Sequence, residues 1–248
     1  MKILGIGNAI VDVICKVEDD FITKNNLTKS TTKLIFDDSE FKDLLSNLKI
    51  EKTVSGGSVA NSIVGLSQLG NEVGFIGKVN DDDLGGKYED GLKQENVNYF
   101  YSKKKEELPT GTCLILVTPD SERTICTFLG TAGKINENDV SKDAIKQSEI
   151  ILLEGYLWDE GEPKKAFEKA IQNANKVAMS LSDQFCVDRH KPHFLELVKN
   201  KLDIIFANEQ EILSLINAKT FEEAVSFSKE IKKNMIITRG EKGAVSID

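Results

Sequence analysis

Short apolar runs alternate along this chain with stretches of helical periodicity. Residues 2–7, 73–79, 150–153, 176–181, 203–207 and 235–238 are mostly Ile, Val, Leu, Met, Phe and other non-charged residues, the pattern of strands buried on both faces. Between them, residues 38–48, 58–69, 84–95, 137–147, 162–174, 189–200 and 221–232 repeat apolar positions at helical spacing. Strands alternating with helices predict an α/β fold with a doubly wound, largely parallel sheet.

Two regions break the rhythm. Residues 11–18 and 31–36 run as strands without a full helix between them, and 97–102 with 111–128 form a second strand-rich block. Within it, 112–117 and 123–128 flank Thr118-Pro119-Asp120-Ser121-Glu122, whose turn-forming residues predict a hairpin. The expected organisation is a body of residues 1–11, 38–96 and 129–248, and a small β lid of 12–37 and 97–128. The charge run 103–107 is expected to be a solvated loop.

Composition narrows the function classes. The 248 residues carry a formal net charge of -8, which argues against a polyanion such as nucleic acid as partner. No apolar run reaches membrane-spanning length. The apolar N-terminus is interrupted by Asn8 and Asp12 and is expected to be a core strand rather than a leader. Cys15, Cys113, Cys126 and Cys186 are scattered, so free thiols in a reducing cytoplasm are expected. His190 and His193 share a segment with Arg189, Lys191 and Pro192; a solvated helix start is expected there rather than a metal site.

Four stretches could carry chemistry. Ser55-Gly56-Gly57-Ser58-Val59-Ala60-Asn61 opens a helix: its glycines permit close backbone approach to a ligand, and the helix start offers free N–H groups. Taken alone, it reads more readily as a plain Gly-Gly turn with Ser58 as cap. Gly5-Ile6-Gly7-Asn8 ends a strand and Asp12 follows; both polar residues can bond polyol hydroxyls, or serve the turn. Asn208-Glu209-Gln210-Glu211 follows a buried run. It could address hydrated magnesium at the strand ends, or simply cap a helix. Thr238-Arg239-Gly240-Glu241-Lys242-Gly243 reads as a nucleotide-phosphate loop or as a β-turn.

The order and spacing of these pieces are what identify the chain. Asn8 and Asp12, Gly56-Gly57 with Asn61, Gly77-Lys78-Val79-Asn80-Asp81-Asp82 with Gly85, Pro109-Thr110-Gly111-Thr112-Cys113, Asn208 with Glu211, and Thr238 with Gly240 follow one another as in the ribokinase-like, PfkB-type kinases. Within that family the chain most resembles the adenosine kinases. The resemblance implies transfer of a phosphoryl group from ATP, with Mg2+, to a hydroxymethyl group of a nucleoside or sugar, adenosine first. It implies that Asp12 binds ribose hydroxyls with Asn8, Gly56, Gly57, Ser58 and Asn61. Cys113, Ile125, Thr127 and Tyr156 would line the nucleoside pocket. Asn208 and Glu211 would serve the magnesium–phosphate side, Glu211 through water, and Thr238 and Gly240 would lie near ATP. Asn80 stands where the family often has glycine, and Tyr156 where phenylalanine is common. The family's Gly-Ala-Gly-Asp helix start, whose aspartate is the catalytic base, is not found in these 248 residues and is expected beyond Asp248. The chain itself is therefore expected to turn over weakly or not at all, with apolar surface exposed on one sheet face and a homodimer through the lid as a possible assembly. The alternatives are a non-catalytic nucleoside or sugar binder and a ribose or fructose kinase.

Overall fold

The computed structural model describes residues 1–158 and 161–248. β1 (Ile3–Ile6) leads within a few residues to β2 (Ile10–Lys16), then α1 (Asp19–Lys24), β3 (Thr32–Ile35), α2 (Asp38–Ser46) and β4 (Ile50–Gly56). α3 (Ser58–Gln68), β5 (Val73–Ile76), α4 (Asp83–Gln94), β6 (Asn98–Tyr99), β7 (Gly111–Val117) and β8 (Arg123–Phe128) follow. The second half carries α5 (Lys142–Lys146), β9 (Ile150–Glu154), α6 (Glu162–Asn173), β10 (Val177–Ser180), α7 (Gln184–Asn200), β11 (Ile204–Asn208), α8 (Glu209–Ile216), α9 (Phe221–Ile231), β12 (Asn234–Thr238) and β13 (Ala244–Ile247).

These elements form two sheets. The larger has the order β13-β12-β11-β10-β9-β1-β5-β6, and the smaller β3-β8-β7-β2-β4. Among the described residues, every strand pairing in the large sheet is parallel except β12 with β13, as expected for a doubly wound α/β fold. Its central strands are apolar because helices cover both faces: all four residues of β5 are buried. Leu4 and Ile6 join a core with Phe167 and Phe194 from α6 and α7, while Phe75 joins one with Ile63 and Tyr88 from α3 and α4. Alternating residues of neighbouring strands thus serve opposite layers.

At the β11–β12–β13 end the two faces differ. Ile205, Ala207, Met235 and Ile237 pack with Ile212, Leu215 and Ala224 of α8 and α9. On the other face Phe206 is 38% exposed, and Thr238, Ala244 and Ser246 are exposed.

The structure redraws several sequence expectations. Residues 97–102 do not join the small sheet: β6 runs parallel to β5 at the edge of the large one, held by Phe100 N donating to Phe75 O at 2.9 Å. Conversely, β4 lies in the region assigned to the body but pairs antiparallel with β2 in the small sheet. The helix expected over 137–147 breaks into a 3-10 turn, Glu137–Asp139, and α5. The Asn136–Asp139 capping box closes the turn, and Ser141 starts the new helix by accepting from Ala144 N. His190 is no solvated helix start. It is buried inside α7, its ring 5.8 Å from that of Phe194, at a kink that Pro192 favours by removing a backbone donor. The run 103–107 is partly anchored, since Glu106 N donates to Asn80 Oδ1. Among the described residues, no helix is long and apolar enough to cross a membrane.

Candidate active site

The large sheet winds outward from β1 in both directions, to β5 and β6 on one side and to β9 through β13 on the other. The crevice at the carboxyl ends of β1 and β9 is therefore the topological switch point, where α/β sheets place ligands. The small sheet hangs over this edge because β2 starts four residues after β1 ends, and β4 runs through Gly57 directly into α3.

Strand register gathers the pocket residues. Asp12 pairs laterally with Val54 on one side and Cys113 on the other, and Cys113 pairs with Thr127. Val54, Asp12, Cys113 and Thr127 thus form one row across a face of the small sheet. Thr127 Oγ1 lies 3.5 Å from Cys113 Sγ. Ile125, two residues before Thr127, shares that face and packs with Ile10, Cys113 and Ala132. Burial raises Asp12 from the usual carboxylate range to about 6. Burial likewise pushes the Cys113 thiol up to about 11, with Thr127 opposing the shift. At neutral pH the row therefore offers one carboxylate among apolar and weakly polar groups, a place for the hydroxyls of a ligand whose remainder is apolar.

The glycine pair stands against this row for steric reasons. A Cβ at Gly56 would sit 2.4 Å from Asp12 Oδ2. Gly57 has φ +102, and a Cβ there would sit 2.3 Å from the Asn8 carbonyl oxygen. Gly57→Ala combines a left-handed backbone with a backbone clash, so it is expected to cost about 2–4 kcal/mol. Scanning calorimetry should show a melting temperature lower by roughly 5–15 °C. Gly57, not Ser58, is the N-cap of α3, and having no side chain it supplies no cap hydrogen bond of its own. Ser58 and Asn61 are exposed on its first turn.

The donor left free by the missing cap is taken by a residue that the sequence reading passed over. Glu154, at the end of β9, is 2% exposed. Its Oε2 accepts from Val59 N at 3.2 Å and its Oε1 accepts from Asn8 Nδ2 at 3.0 Å. Burial pushes its carboxyl up to about 7, against these hydrogen bonds. Asn8 is 3% exposed, and its Oδ1 has no hydrogen-bond partner among the described residues. An unpaired buried acceptor costs about 1–3 kcal/mol, so Asn8 marks a position where a ligand donor would be welcome. The one signal in the sequence was an acidic residue directly after a buried run.

The remaining expected residues lie along the same edge but not in the same cluster. Tyr156 follows β9, 39% exposed, with its N–H donating to Ser182 Oγ at 3.2 Å and its hydroxyl to Ser182 O; these hydrogen bonds tie it to the β10–α7 turn rather than to the Asp12 row. Asn208 on β11 and Thr238 on β12 are register partners. Asn208 and Glu211 form a capping box: Glu211 Oε1 and Oε2 accept from Asn208 Nδ2 at 2.7 Å and N at 3.0 Å, and Glu211 N donates to Asn208 Oδ1. Glu211 is 4% exposed, and burial raises its carboxyl. With both oxygens already accepting, it fits a hydrated magnesium ion only through water on its remaining lone pairs. Gly240 starts a 3-10 turn with φ +58. Beside it Arg239 is bidentate to Glu209 at 2.9 and 3.2 Å and stacks 3.6 Å over the Phe221 ring.

A second set of polar contacts fixes the strand crossings opposite. Asp82 caps α4 by accepting from Gly85 N, and also accepts from Thr110 Oγ1 at 2.6 Å and Thr110 N at 2.9 Å. Thr131 Oγ1 donates to Leu108 O. A concavity of about 700 Å³ lined by Lys16, Phe21, Lys24 and Lys49 lies at the far end of β2, away from all of these groups.

The pattern of the pfkB family of carbohydrate kinases matches residues 6–248. The chain belongs to that family. Among solved structures it is similar to adenosine kinase from Sinorhizobium meliloti, with 35% identity and a TM-score of 0.88 over 99% of this chain and 76% of that one. It is similar to a probable sugar kinase from Rhizobium etli, with 36% identity and a TM-score of 0.87 over 100% of this chain and 76% of that one. Among curated relatives, the guanosine-inosine kinase of Escherichia coli is 24% identical over 86% of this chain and 52% of its own length. The 5-dehydro-2-deoxygluconokinase of Mesomycoplasma hyopneumoniae is 25% identical over 79% and 60%. The chain thus spans between half and two thirds of the length of these two curated pfkB relatives.

Proposed function

We propose that this pfkB chain binds a nucleoside, adenosine first, as the acceptor in an ATP- and Mg2+-dependent transfer to its hydroxymethyl group. The observation that carries the reading is the Asp12 row beside the close-packed Gly56-Gly57 pair: a carboxylate for ribose hydroxyls, flanked by Ile10, Cys113 and Ile125 for an apolar base. Asn8 and Asn208 stand three strands apart on the same edge, about 14 Å by inter-strand spacing, which suits an acceptor ring at one end and nucleotide phosphates at the other. Magnesium bound with the phosphates would offset their charge, and Asn208 with Glu211 would orient its waters.

The reading includes weak turnover by the 248-residue chain. The Gly-rich helix start at Gly57 has its Val59 N–H committed to Glu154, and no Gly-Ala-Gly-Asp run offers a second one with an aspartate. The test is ATP consumption with adenosine, ribose and fructose in parallel, beside calorimetric titrations of the same ligands. Adenosine is expected to bind more tightly than either sugar, with little ATP consumed. Turnover of about 1–100 s⁻¹, ordinary for kinases, would overturn the weak-turnover part. Binding of ribose or fructose in preference to adenosine would move the acceptor to a sugar.

A further inference from the structure

We propose that Glu154 is a positioning residue that fixes which end of the Asn8 amide is offered to the ligand. With Glu154 ionised, both its oxygens accept: one holds Asn8 Nδ2 and the other holds Val59 N–H at the start of α3. The amide is then locked with Oδ1 as the free end, and that oxygen is buried and unpartnered. The site accordingly presents an acceptor, suited to a ligand hydroxyl that donates. When Glu154 takes a proton from solvent, its Oε1–H becomes a donor facing a donor. The amide relieves this by turning over, so that Oδ1 accepts from the carboxyl group and Nδ2 becomes the free end. Acceptor becomes donor without any movement of the backbone.

Besides the Asn8 amide, the backbone N–H groups of Val59 and Asn8 favour the ionised form of Glu154. Tyr88 on α4 and Tyr156 after β9 are the titratable groups that feel Glu154, and Tyr88 also feels Asp12. Both phenols are raised above their ordinary value, chiefly by burial, and stay neutral. α3 contributes a backbone N–H. Glu154 at about 7 and Asp12 at about 6 are therefore the groups here that change charge near neutrality, and replacing Glu154 separates their effects. The ligand half of the inference rests on the acceptor site proposed above; the amide half does not.

The experiment follows the Asn8 side-chain amide by NMR in the 15N-labelled chain, assigned by its loss in Asn8→Asp. In the parent chain its resonances are expected to shift with a midpoint near 7, and in Glu154→Gln that transition should be gone. Glu154→Gln keeps an acceptor for Val59 N–H but turns a donor toward Asn8, forcing the flipped amide at all pH values. Its adenosine affinity at pH 8 is expected to fall at least tenfold. The double variant Asn8→Asp with Glu154→Gln restores a donor–acceptor pair and leaves a carboxylate oxygen as the free end, so affinity should return to within about threefold of the parent. A resonance indifferent to pH overturns the proposal, as does a double variant that melts cooperatively yet binds no better than Glu154→Gln. If the parent binds neither nucleoside nor sugar, the acceptor assignment fails and the NMR transition alone decides the role of Glu154.

Discussion

Asp12→Asn is expected to melt higher than the parent chain at pH 8 while binding adenosine about 100-fold more weakly or worse. Both effects come from one fact: Asp12 is partly buried, and burial is the cause acting on its carboxyl. Its folded value of about 6 lies above the unfolded value near 3.8. The corresponding stability is fully present below about 4 and is lost as pH rises through about 6. At pH 8 the ionised form is therefore held at a cost, which asparagine removes. With allowance for the solvent that still reaches the group, the gain is about 1 kcal/mol, or about 2–4 °C in melting temperature. At pH 4 the difference should vanish. The loss of affinity follows because asparagine replaces two charged acceptor positions with one neutral acceptor and a donor, and a hydrogen bond to a charged group contributes about 1.5–3 kcal/mol. Adenosine affinity of the parent should also weaken as pH falls through about 6. Calorimetric melts at pH 4 and 8 beside binding titrations check both. Unchanged adenosine affinity at pH 8 would remove Asp12 from the ligand site.

Such a residue illustrates what a linear sequence discloses. The large-sheet strands were legible because continuous apolar runs such as Val73–Ile76 have few alternatives to burial on both faces. β4 was not, because Glu51, Lys52 and Thr53 make it read as loop. Only its pairing with β2 makes it a strand, and an edge strand needs little apolar content. β6 was placed with the wrong sheet because a two-residue strand has no periodicity; its partner is decided by where α4 returns the chain. Asn8, Asp12 and Gly56-Gly57 were legible as residue types, and their order supplied the resemblance. Their meeting depends on pairings across the small sheet that spacing alone does not reveal. Glu154 was hidden most deeply, since its contacts lie 146 and 95 residues away in sequence. The motif Asn208-x-x-Glu211 shows the reverse case: the helix-cap reading, weighed as the ordinary alternative, is what the side chains do, leaving any magnesium role to water.

Lys78→Met is expected to lower stability by as much as Gly57→Ala does, through charge rather than backbone strain. Lys78 is 4% exposed, with Nζ 3.1 Å from Glu106 Oε1 and 3.3 Å from Asp139 Oδ2. The Asp139 side chain is itself only 3% exposed. Removing the cation leaves two carboxylates facing each other in a largely dry site, and breaking a buried pair from one side costs about 3–5 kcal/mol. Lys104 softens the loss: its Nζ lies 3.4 Å from Asp139 Oδ1 and 3.7 Å from Glu106 Oε1, but the side chain is 56% exposed and its attraction is screened. A loss near about 3 kcal/mol, or about 6–12 °C, is therefore expected. Adding Asp139→Asn should return part of it, because the remaining pair no longer repels; a double variant less stable than Lys78→Met would show that the cluster is held by packing rather than charge. The same cluster binds the segment after β5, the approach to β7 through Glu106, and the turn after β8 through Asp139. Loss of the cation should thus weaken adenosine affinity as well, through strands that carry Cys113 and Thr127 rather than through any contact of Lys78 with the ligand. A stability loss with unchanged affinity would mean that Asp82 and Thr110 alone hold the small sheet in register over the pocket.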